Sequence, residues 1–414
     1  MIEHLSLLIA GLGLYFFGVS GLRQSLQQIP GRKFRDFIGK ATANPILSAL
    51  SGFFMGTITQ TSIGCTVILA GLISRGMATL YQALPMVAWT NLGLVTLVFL
   101  NELPLPTMAM VLVGVGGICL NFGLGGRFKG AMSPLFSLGL ILFSLKFMKE
   151  AMGMLAMEPG VMETLSLLPS SLHSLFALLL GILLRIPIQS SSAVALIGII
   201  LEDAKIFSTT QALMMLIGTA FGSGACIFLL TAHFKGLMRQ ITLFEAIINA
   251  AAGAVMLLFF AIEHFFGVPL LVHGLAKIDA HVDEQLAIAF LIQQSLCVVF
   301  GYALLPRASA WLEQMAPTTI EQDISRPRFI HDEAVQDPET ALTLTEQELN
   351  AIFSRTPSYL DEFRTEKPAQ RGPAPIVLHN AAVSLFGEIS SLLEAVSTNP
   401  RQSASVRLLK IQRR

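Results

Sequence analysis

The sequence predicts an all-α polytopic membrane protein with two inverted-topology repeats, each carrying a re-entrant helical hairpin, followed by a small helical cytoplasmic tail. Three observations carry this. Over 414 residues, 53% are hydrophobic and 13% charged, and the mean hydropathy is +0.67, whereas a soluble domain is about one-quarter charged. The charge is unevenly spread: residues 1–316 hold 30 charged side chains and residues 317–414 hold 24. Two apolar stretches are interrupted by matching polar clusters.

Full crossings, each near the ~20 residues that a 30 Å hydrocarbon core requires, are expected at 5–22, 82–100, 106–124, 131–149, 211–231, 241–262 and 286–305. Glu3 and His4 replace the basic start of a signal peptide, so 5–22 reads as a retained span. Stretches 45–74 and 172–202 are too short for two crossings. They break at Thr57, Thr59, Gln60, Thr61 and Ser62, and at Gln189, Ser190, Ser191 and Ser192. Such breaks suit hairpins whose turns are satisfied by protein or by a water-filled cavity.

With both hairpins returning to the side they left, Arg23, Arg32, Lys33, Arg35, Lys40, Arg75, Arg127, Lys129, Lys235, Arg239 and Arg307 share one face. Only Lys146, Lys149, Lys205 and Lys277 fall opposite, among Glu102, Glu150, Glu158, Glu163, Glu202, Asp203, Glu263, Asp279, Asp283 and Glu284. The positive-inside rule then places the N-terminus outside and the tail in the cytoplasm, in a cell inner membrane.

A shift of 129 residues superposes 52–95 on 181–224 and pairs Gly52 with Gly181, Gln60 with Gln189, Ser62 with Ser191, Gln82 with Gln211, Thr90 with Thr219 and Gly93 with Gly222. The charge pattern gives the two halves opposite directions. The expected organisation is a membrane domain over 1–316, with repeat one at about 5–125, repeat two at about 131–262 and an extra span at 286–305, then a tail over 317–414. Inverted repeats with broken polar segments point to a secondary transporter with its site where the halves meet.

Hydroxyl and amide oxygens at the tips are hard neutral ligands for a partly dehydrated alkali cation. Ser62 and Ser190 or Ser191 stand where a serine caps a helix N-terminus, and free N–H groups there can hold an oxyanion. Pro187 favours the second break. The alternative is that these residues only join helices. Arg185, inside an apolar run, is an anion clamp or else a snorkelling or ion-paired arginine, with Glu202 or Asp203 as partner. Thr90-Asn91-Leu92-Gly93 and Thr219 to Gly224 suggest unwound helix that coordinates a cation, or simply close packing on small residues. Glu245 and Asn249 could titrate or contact substrate, with an interhelical hydrogen bond as the favoured role.

Cys65, Cys119, Cys226 and Cys297 are isolated and read as buried hydrophobes. With 27 basic and 27 acidic residues, a nucleic-acid surface is not expected. No nucleotide loop, zinc spacing or catalytic serine elbow is present, so an enzyme is not expected and no cofactor is required.

Gln60-Thr61-Ser62 and Gln189-Ser190-Ser191-Ser192-Ala193, with the polar and glycine-containing stretches that follow them, resemble the bacterial and type II sodium-phosphate cotransporter family over roughly residues 5–305. The resemblance implies phosphate or a related oxyanion as substrate and sodium as coupling ion. It implies substrate contacts at Gln60, Thr61, Ser62, Gln189, Ser190, Ser191 and Ser192. Helix-break contacts carry over to Thr90, Asn91 and Gly93 and to Thr219, Gly222 and Ser223, so Thr90, Asn91, Thr219 and Ser223 are the expected cation ligands, with no other metal.

Ile63-Gly64, Val194-Ala195 and Ala220 depart from the family pattern, and Arg185 stands where threonine is common; an added arginine can supply countercharge where hydroxyls are missing. In the tail, Phe329-Ile330-His331-Asp332 leading through Asp337-Pro338 resembles the entry to a PhoU-like helical domain. Leu378–Val396 fits a second amphipathic helix, and Pro368–Pro375 a linker. The expected activity is transport of phosphate by alternating access, with the oxyanion, sodium and the lipid bilayer as partners and a homodimer left open. Rival readings are transport of another oxyanion, proton coupling, or a membrane-anchored phosphate sensor acting through its tail.

Overall fold

The computed structural model describes residues 2–27, 44–74, 79–102, 106–123, 129–157, 170–232, 234–277, 282–318, 324–325, 327–331, 334, 337–357 and 375–397. Among them Arg32, Lys33, Arg35, Lys40, Arg75, Arg127, Glu158, Glu163, Asp279, Asp332 and the linker up to Ala374 do not appear; these expectations lie outside the described residues. The described elements are helices, with no strand among the described residues.

In chain order they are α1 (Ile2–Gln27), α2 (Pro45–Thr59), α3 (Ser62–Ser74), α4 (Leu80–Gly93), α5 (Val95–Glu102), α6 (Pro106–Phe122), α7 (Lys129–Ala156) and α8 (Ser170–Ile188). Then follow α9 (Ser191–Asp203), α10 (Thr209–Leu230), α11 (Gly236–Phe266), the single turn α12 (Val272–Leu275), α13 (Val282–Met315), α14 (Pro338–Ser354) and α15 (Pro375–Ser397).

Among the described residues, four helical segments are long and apolar enough to cross a membrane: Leu80–Leu100, Thr209–Leu230, Gly236–Phe266 and Glu284–Ala308. Ser6–Gly21, Pro45–Thr59, Thr107–Phe122 and His173–Ile188 are shorter apolar helices. At 1.5 Å per residue, α2, α3 and α9 are each only about 20 Å long, short of a 30 Å hydrocarbon core.

The two polar clusters break the chain where their residues forbid a regular helix. Gln60 and Gln189 both adopt left-handed backbone, with φ of 48° and 55°, a conformation that non-glycine residues reach only at a cost. Each closes the preceding helix through its own N–H, Gln60 to the Gly56 carbonyl at 2.9 Å and Gln189 to the Arg185 carbonyl at 3.0 Å. Ser190 then caps α9 by accepting from the Ala193 N–H at 3.3 Å, satisfying a donor that the first helical turn leaves orphaned.

The 129-residue correspondence extends to packing. Thr79 with Gln82 and Ser208 with Gln211 form reciprocal capping boxes at the starts of α4 and α10, the arrangement that satisfies two N-terminal donors at once. A side chain at Gly52 would collide with the Met86 carbonyl, and one at Gly181 with the equivalent Met215 carbonyl. Gly93 approaches the Phe53 carbonyl just as Gly222 approaches that of Ile182. Helix pairs α2/α4 and α8/α10 are therefore held in backbone contact by the same small residues.

The sequences after the hairpins differ from the expected unwinding. The first is interrupted by Leu94 alone, whose N–H reaches the Asn91 and Leu92 carbonyls. Thr219–Gly224 lies within continuous α10. Its carbonyls are committed to helical bonds, because the run of apolar neighbours sustains the helix and no proline removes a donor; only its side chains remain as ligands.

α13 packs against α4, α5, α9, α10 and α11 and so touches both halves. α7 packs on α1, α6 and α9, and Lys149, about two turns before the end of α7, pairs at 2.9 Å with Asp203, the last residue of α9. In the tail, α14 and α15 bury Leu342, Leu349, Ile352, Leu385, Ile389 and Leu393 between them. Asp337 caps α14 ahead of Pro338. The Glu348 carboxylate, also buried, accepts the backbone N–H groups of Arg328, Phe329 and Ile330 at 2.9, 2.7 and 3.4 Å. Burial lowers the proton affinity of the Arg355 guanidinium, and the charge of Arg328 adds to this.

Candidate functional site

The two polar breaks meet. Ser192 Oγ donates to Gln60 Oε1 at 3.0 Å across 132 residues of sequence. Ser192 in turn shares a hydrogen bond with Ser190 Oγ at 3.1 Å. Gln60 Nε2 donates back to the Thr57 carbonyl at 2.8 Å, so its amide is oriented from both ends. Gln60, Thr61, Ser62, Ser190, Ser191 and Ser192 are all buried. Gln189 is half-buried, and its amide makes no hydrogen bond among the described residues. Tyr15 of α1 brings a buried phenol beside Ser190 and Ser192; its hydroxyl has no partner of good geometry among the described residues.

Arg185 is 1% exposed. Its Nε donates to Ser223 Oγ at 2.9 Å and its Nη1 approaches Cys226 Sγ at 3.8 Å. Neither expected carboxylate partner is there: Glu202 pairs with Lys205 at 3.1 Å and Asp203 with Lys149 at 2.9 Å. The physical reason is position, since Arg185 lies at the broken end of α8 and both acids lie at the far end of α9. Among the described residues no carboxylate comes within 4.0 Å of the guanidinium.

Opposite it in charge stands Glu245 of α11, 0% exposed. Thr66 Oγ1 donates to Glu245 Oε2 at 2.6 Å, and Ser62 lies one turn before Thr66 on α3. One turn on, Asn249 Nδ2 donates to the Glu245 carbonyl at 2.9 Å and approaches Asn91 Oδ1 at 3.4 Å. The interhelical role expected of this pair is therefore present, joining α11 to α3 and α4.

The four residues expected on a cation each bond elsewhere, and none bonds another of the four among the described residues. Thr90 turns back to the Met86 carbonyl at 2.9 Å and touches Cys65 Sγ at 3.1 Å. Asn91 faces Asn249. Thr219 donates to the Leu216 carbonyl at 2.7 Å and accepts from Gln293 Nε2 at 3.2 Å. Ser223 faces Arg185, where a second cation would be repelled. Sequence reasoning did not single out Thr66, Tyr15, Gln293 and Gln294; the glutamine pair inside an apolar crossing was the one available signal.

The Ser192–Gln60 hydrogen bond thus joins the two polar clusters, and Arg185 lies four residues before Gln189. Residues 14–150 match the Na+/Pi-cotransporter family. The Na+/Pi-cotransporter match covers the first hairpin, and the second corresponds to it through the 129-residue shift. The chain is 23% identical over 255 residues to YjbB of Escherichia coli (strain K12), named for a proposed inorganic phosphate export activity, covering 61% of this chain and 46% of that protein. YjbB of Salmonella typhimurium matches to the same extent. The chain thus spans about half the length of these curated relatives. It is 28% identical over 228 residues to YqeW of Bacillus subtilis (strain 168), covering 54% of this chain and 71% of that protein. No solved structure matches it significantly.

Proposed function

We propose that the chain is a secondary transporter of inorganic phosphate or a related oxyanion, coupled to sodium, working by alternating exposure of a site between the two Gln-Ser hairpins. The observation that carries this reading is the Ser192–Gln60 hydrogen bond, which unites tips 132 residues apart at one buried position. An oxyanion there meets the Ser190-capped N-terminus of α9, the serine hydroxyls, and the guanidinium of Arg185. Gln189, with a free amide, is the adaptable member of the set.

The short arms α2, α3 and α9 support hairpins that do not cross fully, the equivalent packing of α2/α4 and α8/α10 supports a repeat, and the charge pattern supports its opposite direction. The charge distribution favours an inner-membrane chain with its N-terminus outside and residues 317–414 in the cytoplasm. Thr90, Asn91 and Thr219 remain candidate sodium contacts through their side chains; Ser223 belongs with the anion.

The test is phosphate flux in proteoliposomes, with and without an imposed sodium gradient, read in both directions. Gradient-driven flux that Gln60→Ala abolishes, with expression retained, is the expected result. Absence of any gradient-driven oxyanion flux would overturn the reading.

A further inference from the structure

We propose that Glu245 holds one monovalent cation, Na+ or a proton, which accompanies an oxyanion at Arg185, so that two buried charges on separate helices couple anion to cation. The inference rests on the transport reading and assigns the coupling ion a residue.

Glu245 is 0% exposed, yet only one of its oxygens is engaged: Oε2 takes the Thr66 hydroxyl at 2.6 Å, while Oε1 has no partner among the described residues. A buried carboxylate oxygen without a donor is costly, which argues for a ligand that completes it. Oxygens of the kind that suit a small hard cation lie on the adjoining turns: Thr66 Oγ1 on the carboxylate itself, Ser62 one turn earlier on α3, and Asn91 Oδ1, which accepts from Asn249 one turn along α11 from Glu245. The site lies against the first hairpin, since Ser62 and Thr66 occupy the first two turns of α3.

The groups within electrostatic reach of Glu245 are Arg185 of α8, Cys65 of α3, Cys226 of α10 and Cys297 of α13. Arg185 alone among them is a cation. With no ligand, one buried positive and one buried negative charge balance. An oxyanion at Arg185 tips the interior to net negative, which a low-dielectric environment penalises. A monovalent cation at Glu245 removes that excess. Each ligand therefore raises the affinity of the other, a reciprocity required by linkage. If the cation is a proton, it adds to Glu245 from solvent on the side where anion binds and leaves to solvent on the side where anion is released.

The experiment measures inorganic phosphate affinity and thermal unfolding of the purified full chain in two arms. One arm varies Na+ against choline at constant ionic strength and pH; the other varies pH without Na+. The wild type should bind phosphate about tenfold more tightly across the range of one arm, and that arm names the ion. Glu245→Gln, which is neutral and keeps an acceptor for Thr66, should bind phosphate tightly and lose the dependence. Thr66→Val should shift the cation midpoint to higher concentration without abolishing the response. Retention of the wild-type dependence in Glu245→Gln, or an unmoved midpoint in Thr66→Val, overturns the proposal. Phosphate binding that is independent of both arms in the wild type overturns it while leaving the transport reading intact. Cation-dependent stability that vanishes in Glu245→Gln, in a protein that binds no phosphate, sustains the site and overturns the phosphate reading instead.

Discussion

The units around Gln60 and Gln189 share a backbone arrangement and differ in chemistry. Both break at a left-handed glutamine, both feed a helix opened by a capping box, and both press glycine against the same carbonyls. Yet Gly56, whose lack of a side chain lets α2 abut the Thr90 carbonyl, corresponds to Arg185 in the second unit. Conversely Thr66, which engages Glu245, corresponds to Ala195. The second unit thus carries a positive charge and the first faces a negative one. Duplicated packing can fix where a site lies while leaving each half free to acquire its own ligand preference.

The largest effect that would sharpen this contrast is at the charge. Arg185→Gln should weaken phosphate binding by roughly 30-fold or more, the scale of removing one partner from a buried charged contact, as measured by equilibrium binding to the purified protein. Unchanged affinity would dissolve the chemical distinction between the units.

The shared backbone is tested next. Gly52→Val and Gly181→Val should each destabilise the protein by about 1–3 kcal/mol through overpacking, read as lowered thermal midpoints. A large cost at one and none at the other would show that the packing is not equivalent.

At the breaks, Gln60→Gly and Gln189→Gly should each be about 1 kcal/mol more stable than the corresponding alanine variants, because glycine accepts positive φ without the steric cost. Equal stability of the two variants at either position would argue against the left-handed turn. Smallest is the contact between tips: Ser192→Ala should cost about 0.6 kcal/mol, the average for a hydrogen bond inside a membrane protein, while its effect on phosphate flux should exceed that on stability.

Much of the helical framework was legible because it follows from local rules. Crossings at 82–100, 211–231, 241–262 and 286–305 coincide to within a residue with, or lie inside, the four segments long enough to span, whereas 5–22 and 106–124 correspond to shorter apolar helices and 131–149 to none of the four. Unbroken apolar runs form helices wherever backbone groups must satisfy one another. The breaks at Gln60 and Gln189 followed from polar clusters, and α14 and α15 from their amphipathic period. The expected unwinding at Thr219–Gly224 did not occur, because glycine permits departure from a helix without requiring it. Glu245 was legible as a buried acid in a span, but its neighbours were not.

The sequence by itself determined which segments are helices, where two of them break, and that the breaks recur at a spacing of 129 residues. These depend on hydropathy, capping and backbone sterics, which act over a few residues. It took the folded arrangement to show that Ser192 meets Gln60, that Arg185 lacks the acids nearest it in sequence, and that Thr66 engages Glu245. Such pairings span 132 and 179 residues, and hydrophobic helix packing, which is non-directional, sets them without leaving a periodic trace in the chain.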